Sequence, residues 1–102
     1  MSVLLNFAMF PTDSGTSVSP YVSKVIKMIA ESGLPYKLNP MGTTIETETM
    51  AEALEILNKA YDILKDHKRI YAVANFDIQK EKSGRISSKI QSIESKIGKV
   101  NT

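Results

Sequence analysis

Glu46 and Glu48 lie two residues apart in the β-forming stretch from Thr43 to Glu48, so both carboxylates point to one face of a strand. Carboxylates that close can share acid–base work, hold a divalent cation or balance an organic cation. The same spacing fits a solvated pair near a strand end. Tyr21, Tyr36, Tyr61 and Tyr71 offer ring faces for a cationic ring to stack on, with Tyr61 expected in the core behind a helix. The one histidine, His67, sits in the charged run Asp66-His67-Lys68-Arg69, where a solvated helix end is expected. It has no histidine or cysteine partner for a zinc site. The segment DSGTS lacks the GxxxxGK[ST] pattern of a phosphate loop, so capping by Ser17 or Ser19 is the plainer reading. No nucleophile and base can be paired from presence alone, and no catalytic residue or metal ligand is assigned.

The rest of the composition narrows the classes further. A chain of 102 residues with 42% hydrophobic and 24% charged residues is expected to form one domain, 1–102. A net charge of +2 is not the dense basic surface of a nucleic-acid binder. Zero cysteines exclude disulfides, thiolate catalysis and cysteine-ligated metals. No apolar run approaches the roughly 20 residues of a membrane span, and the N-terminal MSVLLNFAMFP has no basic segment of the signal-peptide kind. The expectation is a soluble cytoplasmic protein without nucleic-acid or membrane partners.

The elements that must position these residues follow from periodicity. Val3 to Phe10 is a short apolar run stopped by Pro11, the length of a buried strand. PTDSGTSVS is a loop, after which Ser19 and Pro20 predict an N-cap and first helical residue, with a helix from Pro20 to Ser32. Tyr36–Asn39 and Thr43–Glu48 predict a hairpin around Pro40-Met41-Gly42. Thr49 and Glu52 predict a capping box, and Met50, Ala53, Leu54, Leu57, Tyr61 and Leu64 carry a helix to about Asp66. Arg69 to Ile78 predicts a fourth strand. Within a final segment, 84–100, Ile86, Ile90, Ile93, Ile97 and Val100 recur every four and three residues as a narrow seam on a polar helix. The order βαββαβ plus a helix predicts an α+β, ferredoxin-like sandwich: a four-stranded antiparallel sheet in residues 1–80, with two helices on one face.

Helices on one face leave the other bare. By parity it shows Leu4, Asn6, Ala8 and Phe10 of the first strand, Thr44 and Glu46 of the third, and Tyr71, Val73 and Asn75 of the fourth. Ala72, Ala74, Phe76 and Ile78 then belong to the helix-covered face. That much exposed apolar sheet predicts a second subunit against it. Asn6, Asn75, Thr44 and Glu46 would sit in or beside that contact, paired with one another or with a ligand.

The segments SVSPYV, SGLPYKLNPMGTTIETE and RIYAVANFDIQK closely resemble the thiamine-binding, MTH1187-like family of small proteins, over nearly the whole chain. The resemblance implies a ferredoxin-like subunit pairing through its sheet into dimers and then tetramers, a thiamine-type ligand near subunit contacts, and no catalytic activity or resident cofactor. It places the ligand neighbourhood at Thr16, Ser17, Ser19 and Tyr21 with Met41, Gly42, Thr43, Thr44, Glu46 and Glu48. A thiazolium beside a flat aminopyrimidine needs a counter-charge, a soft wall and amide groups. Glu46, Tyr21 or Met41, and Asn6 with Asn75 are the expected suppliers. The chain departs from the family at Thr47, where many members carry glycine, and at Tyr61-Asp62, where many carry His-Glu, which turns the expectation toward the pyrimidine moiety as an alternative ligand. The other readings are a regulatory domain sensing a different metabolite and a purely structural module.

Overall fold

Apolar alternation and turn residues produce the expected order in the computed structural model, which describes residues 1–13 and 15–102. Ser14, inside the expected loop, lies outside the described residues. The elements are β1 (Ser2–Pro11), α1 (Ser19–Glu31), β2 (Tyr36–Asn39), β3 (Gly42–Thr47), α2 (Met50–Leu64), β4 (Ile70–Gln79) and α3 (Arg85–Ile97). The strands form one antiparallel sheet in the order β2-β3-β1-β4. This is the ferredoxin-like arrangement, with β1 paired to β3 on one side and to β4 on the other.

Alternation puts Val3, Leu5 and Phe7 of β1 and Ile45 of β3 under the helices, where they meet Val25 and Ile29 of α1. The buried stripe of α2 is Ala53, Ile56, Ala60 and Leu64. Leu54 and Tyr61, expected in that stripe, are 45% and 51% exposed. The helix is apolar over more than one face, so its phase is ambiguous in sequence. The two alanines decide it, because their small side chains let the helix lie close against the sheet.

The start of α2 is the expected capping box: Thr49 Oγ1 accepts the Glu52 N–H and Glu52 Oε1 accepts the Thr49 N–H, both at 3.1 Å. Replacing Thr49 with alanine is expected to lower stability by about 1 kcal/mol in chemical denaturation, with the fold retained. At α1 the boundary moves by one residue. Val18, with no side-chain cap, is the N-cap, and its carbonyl accepts the Tyr21 and Val22 N–H groups at 3.0 Å. Ser19 is therefore already helical and Pro20 follows it.

Two features depart from the expected layering. No residue from Tyr71 to Gln79 is buried, and Phe76 and Ile78, expected beneath the helices, are 36% and 48% exposed. The helices cover β1 and β3 and do not extend over β4, so that edge strand is open on both faces. The opposite face is not wholly bare either. α3 crosses it, with its first turn bonded to Glu46 and with Ile86 and Ile90 facing Leu4 and Thr44 across a gap. The radius of gyration, 14.8 Å, exceeds the ~13 Å of a compact chain this long.

Candidate functional site

Glu46 sits on the face that parity assigned it, yet it is only 7% exposed because α3 starts on top of it. Its Oε2 accepts the Ser2 hydroxyl and the Arg85 N–H at 2.9 Å, and its Oε1 accepts the Ile86 N–H at 3.0 Å. The carboxylate thus satisfies two of the donors that any helix start leaves unpaired. The Arg85 guanidinium, also buried, donates to Ser2 Oγ at 3.0 Å, to the carbonyls of Ser2 and Asp77 at 2.9 and 2.6 Å, and faces Asp77 Oδ2 at 3.1 Å. Lys89 reaches the same Asp77 oxygen at 3.2 Å. Burial pushes the Glu46 carboxyl up, but bonds from Ser2 and the Ile86 and Arg85 amides, with the Arg85 charge, hold it below its ordinary value. Asp77 is lowered by its bonds to Lys89 and Arg85. Sequence reasoning missed Ser2, Arg85 and Asp77. The signal was Gly84 before Arg85, a left-handed glycine (φ 63°) that turns the chain into α3.

The other half of the expected neighbourhood lies elsewhere. A cleft of about 270 Å³ opens between the C-terminal half of β1, the first turns of α1 and the β2–β3 turn. Phe7 and Phe10 come from the strand, Val18 and Val22 from the helix, and Met41 and Gly42 from the turn. Asn39 Oδ1 accepts the Met41 N–H at 3.0 Å, so the asparagine shapes the turn. Thr43 lines the cleft too, and Ser19 borders a shallower extension of it. Met41 is 86% exposed, a soft side chain at the rim. The lining residues are apolar or uncharged, with no carboxylate among them.

Of the expected site residues, Met41, Gly42, Thr43 and Ser19 are thus brought together, while Thr16 and Ser17 lie exposed in the loop before α1. Tyr21 lies partly buried against the core. Asn6, Thr44 and Asn75 form one row across the opposite face, with Asn6 paired to both and the Thr44 hydroxyl donating to Asn6 Oδ1 at 3.1 Å. Glu46 lies opposite Leu4, six residues and about 20 Å along β1 from Phe10. Glu48 is exposed beyond the end of β3. Neither glutamate reaches the cleft. The two departures from the family pattern are also remote from it: Thr47 donates to the Thr49 carbonyl at 2.8 Å, and Tyr61 and Asp62 lie on the exposed side of α2.

His67 is not the solvated helix end its neighbours suggested. Its Nδ1 lies 3.0 Å from Asp13 Oδ1, while Asp13 Oδ2 accepts the Lys68 N–H at 2.7 Å. The Tyr21 ring stands nearly perpendicular to the imidazole, with centroids 4.6 Å apart. These contacts tie the loop after β1 to the turn before β4, beside the α1 start that walls the cleft. Among the described residues, no group of three histidine, cysteine, aspartate or glutamate side chains could hold a metal ion.

Comparison with known proteins agrees with this architecture. The family model described as thiamine-binding protein matches residues 5–94. A UPF0045 protein of Mycobacterium tuberculosis is 30% identical over 95 residues, spanning 92% of this chain and 93% of the relative. A solved structure of a hypothetical protein from Methanocaldococcus jannaschii superposes with a TM-score of 0.79 at 30% identity, over 90% of this chain and 95% of that one. A Thermotoga maritima structure, assigned as a candidate only to thiamine biosynthesis or salvage, superposes with a TM-score of 0.77 over 91% of this chain and 99% of its own. At 17% identity it speaks for the fold alone.

Proposed function

The chain belongs to the thiamine-binding protein family, and from that premise we propose that it binds thiamine or its pyrimidine moiety without reacting with it. The cleft between α1 and the β2–β3 turn is the observation that carries this reading. Its size approaches the lower end of small-molecule pockets, about 300 Å³. Phe7 and the thioether of Met41 suit a flat ring, and Thr43 and Asn39 place a hydroxyl and an amide beside it. Without a carboxylate in the lining, the neutral aminopyrimidine is the part that fits inside. The thiazolium then lies at the mouth, where water screens its charge. Glu46, engaged by Ser2 and α3, serves the protein by fastening that helix, not as the counter-charge.

The protein is proposed to act as a cytoplasmic homo-oligomer, two or four copies meeting through the open sheet face. The apolar, uncharged residues exposed there support that assembly. Calorimetric titration with thiamine, its pyrimidine moiety and thiamine phosphate tests the ligand. Saturable heat is expected for thiamine and for the pyrimidine alone, and Val22→Trp, which fills the cleft, is expected to abolish both. Binding that survives Val22→Trp places the ligand elsewhere. No heat from any of the three removes the ligand reading and leaves a structural module or a sensor of another metabolite.

A further inference from the structure

α3 is bonded to the sheet at its first turn, through Glu46, Ser2 and Asp77. Behind that anchor a slot of about 390 Å³ separates the helix from β1, β2 and β3. Ile86 and Ile90 line it from the helix and Leu4 from the sheet, all three half-buried. The slot lies on the opposite face of the sheet from the α1 cleft and shares only Leu38 and Asn39 of the edge strand β2 with it. Small-molecule pockets run from about 300 Å³ upward, and an apolar cavity of roughly 150 Å³ already takes up a benzene ring. Branched aliphatic walls offer water few partners, so an apolar guest gains the contacts that helix and sheet do not give each other.

The rim is different in kind. Its charged side chains are Lys37, Arg85 and Lys89, and none is acidic. Two of those cations are already answered: Arg85 and Lys89 share Asp77, and Arg85 reaches Glu46 through the Ser2 hydroxyl. Lys37 is not. Among the described residues it forms no ion pair, either with a side chain or with Thr102 in the same lining. It stands opposite Thr44 on β2, with Asn39 two residues further along the same face. Asn39 Oδ1 is taken by the Met41 N–H, which leaves the amide nitrogen to donate. One unanswered ammonium beside an amide donor, over an apolar slot, complements a single negative charge on an apolar body.

We propose that this slot is a second binding site, for a small aliphatic monocarboxylate. The carboxylate pairs with Lys37 and Asn39, and the chain lies among Leu4, Ile86 and Ile90. No aromatic ring lines the slot, so a flexible chain suits it better than a flat ring. A phosphate ester brings a second charge with no cation left to meet it, because the Arg85 fork is already engaged. The site is independent of the thiamine reading and of any second copy, since one chain supplies every wall.

Isoleucine methyl NMR reads the site directly, with octanoate as the probe. Saturable shifts are expected at Ile86 and Ile90, and none at Ile26, which lines the α1 cleft. Acetate, which lacks the chain, and octanol, which lacks the charge, are expected to bind about tenfold more weakly or worse. Lys37→Gln is expected to weaken octanoate about tenfold. Lys96→Gln, on the same helix but outside the lining, should leave it unchanged. Ile90→Trp, which fills the slot, should abolish the Ile86 shift with circular dichroism retained. Each of four results overturns the proposal: octanol binding as tightly as octanoate, Lys37→Gln without effect, octyl phosphate binding more tightly than octanoate, or shifts confined to Ile26 or to the exposed Ile93 and Ile97. No saturable shift from octanoate overturns it as well.

Discussion

Replacing Glu46 with alanine is expected to destabilise the protein by about 3–5 kcal/mol, because it leaves three buried donors without their acceptor at about 1–3 kcal/mol each. The carboxylate accepts three hydrogen bonds at a site 7% exposed, so its loss orphans the Arg85 and Ile86 amides at the start of α3. It also frees the Ser2 hydroxyl, which bridges Glu46 to the buried Arg85 guanidinium, whose own ion pair is with Asp77 at 3.1 Å. Glu46→Gln keeps the shape and one acceptor but turns an amide N–H toward donors, and about 1–3 kcal/mol is expected. Urea denaturation at neutral pH measures both. The pH dependence separates charge from shape. Glu46 and Asp77 are held below their ordinary values of 4.5 and 3.8, so they bind fewer protons folded than unfolded in that range. Their stabilisation is complete above those ordinary values and is lost as pH falls through the lowered folded values. The gap between Glu46→Gln and the unaltered protein should therefore narrow on acidification below pH 4.5. A gap that stays constant to the acid limit means the carboxylate charge contributes nothing.

That cluster also marks where the sequence stopped being legible. Two-residue alternation placed Leu5, Phe7, Thr43 and Ile45 toward the helices and Glu46 away from them, as the structure has it. Parity could not say that a helix starting almost forty residues later would lie across Glu46, because contacts so distant in sequence leave no local periodicity. The same limit hid His67 and Asp13, which meet across 54 residues. Local signals fared better: the Thr49–Glu52 capping box needs only neighbours, and it formed. The phase of α2 failed for an intermediate reason. Leu54 and Tyr61 are as apolar as the residues that were buried, and only docking against the sheet chose Ala53 and Ala60. Of the ligand neighbourhood implied by the resemblance, Met41, Gly42, Thr43 and Ser19 meet at one cleft, Thr16, Ser17, Tyr21 and Thr44 lie outside its lining, and the glutamates belong to another structure.

Gly42 provides the sharpest way to separate cleft from scaffold. A Cβ there would stand 3.0 Å from the Phe7 carbonyl oxygen and 3.6 Å from Asn6 Oδ1, against the backbone of the central strand β1. That carbonyl is held in the sheet and has little room to give, so Gly42→Ala must push the β2–β3 turn outward. A loss of about 1–3 kcal/mol is expected, as for other overpacked sites. Because Gly42 also lines the cleft beside Met41, the same shift should weaken ligand binding by about tenfold or more, since orienting groups tolerate little displacement. Gly33 is the matched control. At φ +78° its substitution by alanine is strained, worth roughly 1–2 kcal/mol, but its Cβ would meet nothing within 4 Å and it lies outside the cleft. Gly33→Ala should therefore lower stability while leaving affinity intact, and Gly42→Ala should lower both. Equal affinity losses in the two variants would tie binding to global stability and not to the turn. Unchanged affinity in Gly42→Ala, with the stability loss observed, would move the ligand away from the β2–β3 turn altogether.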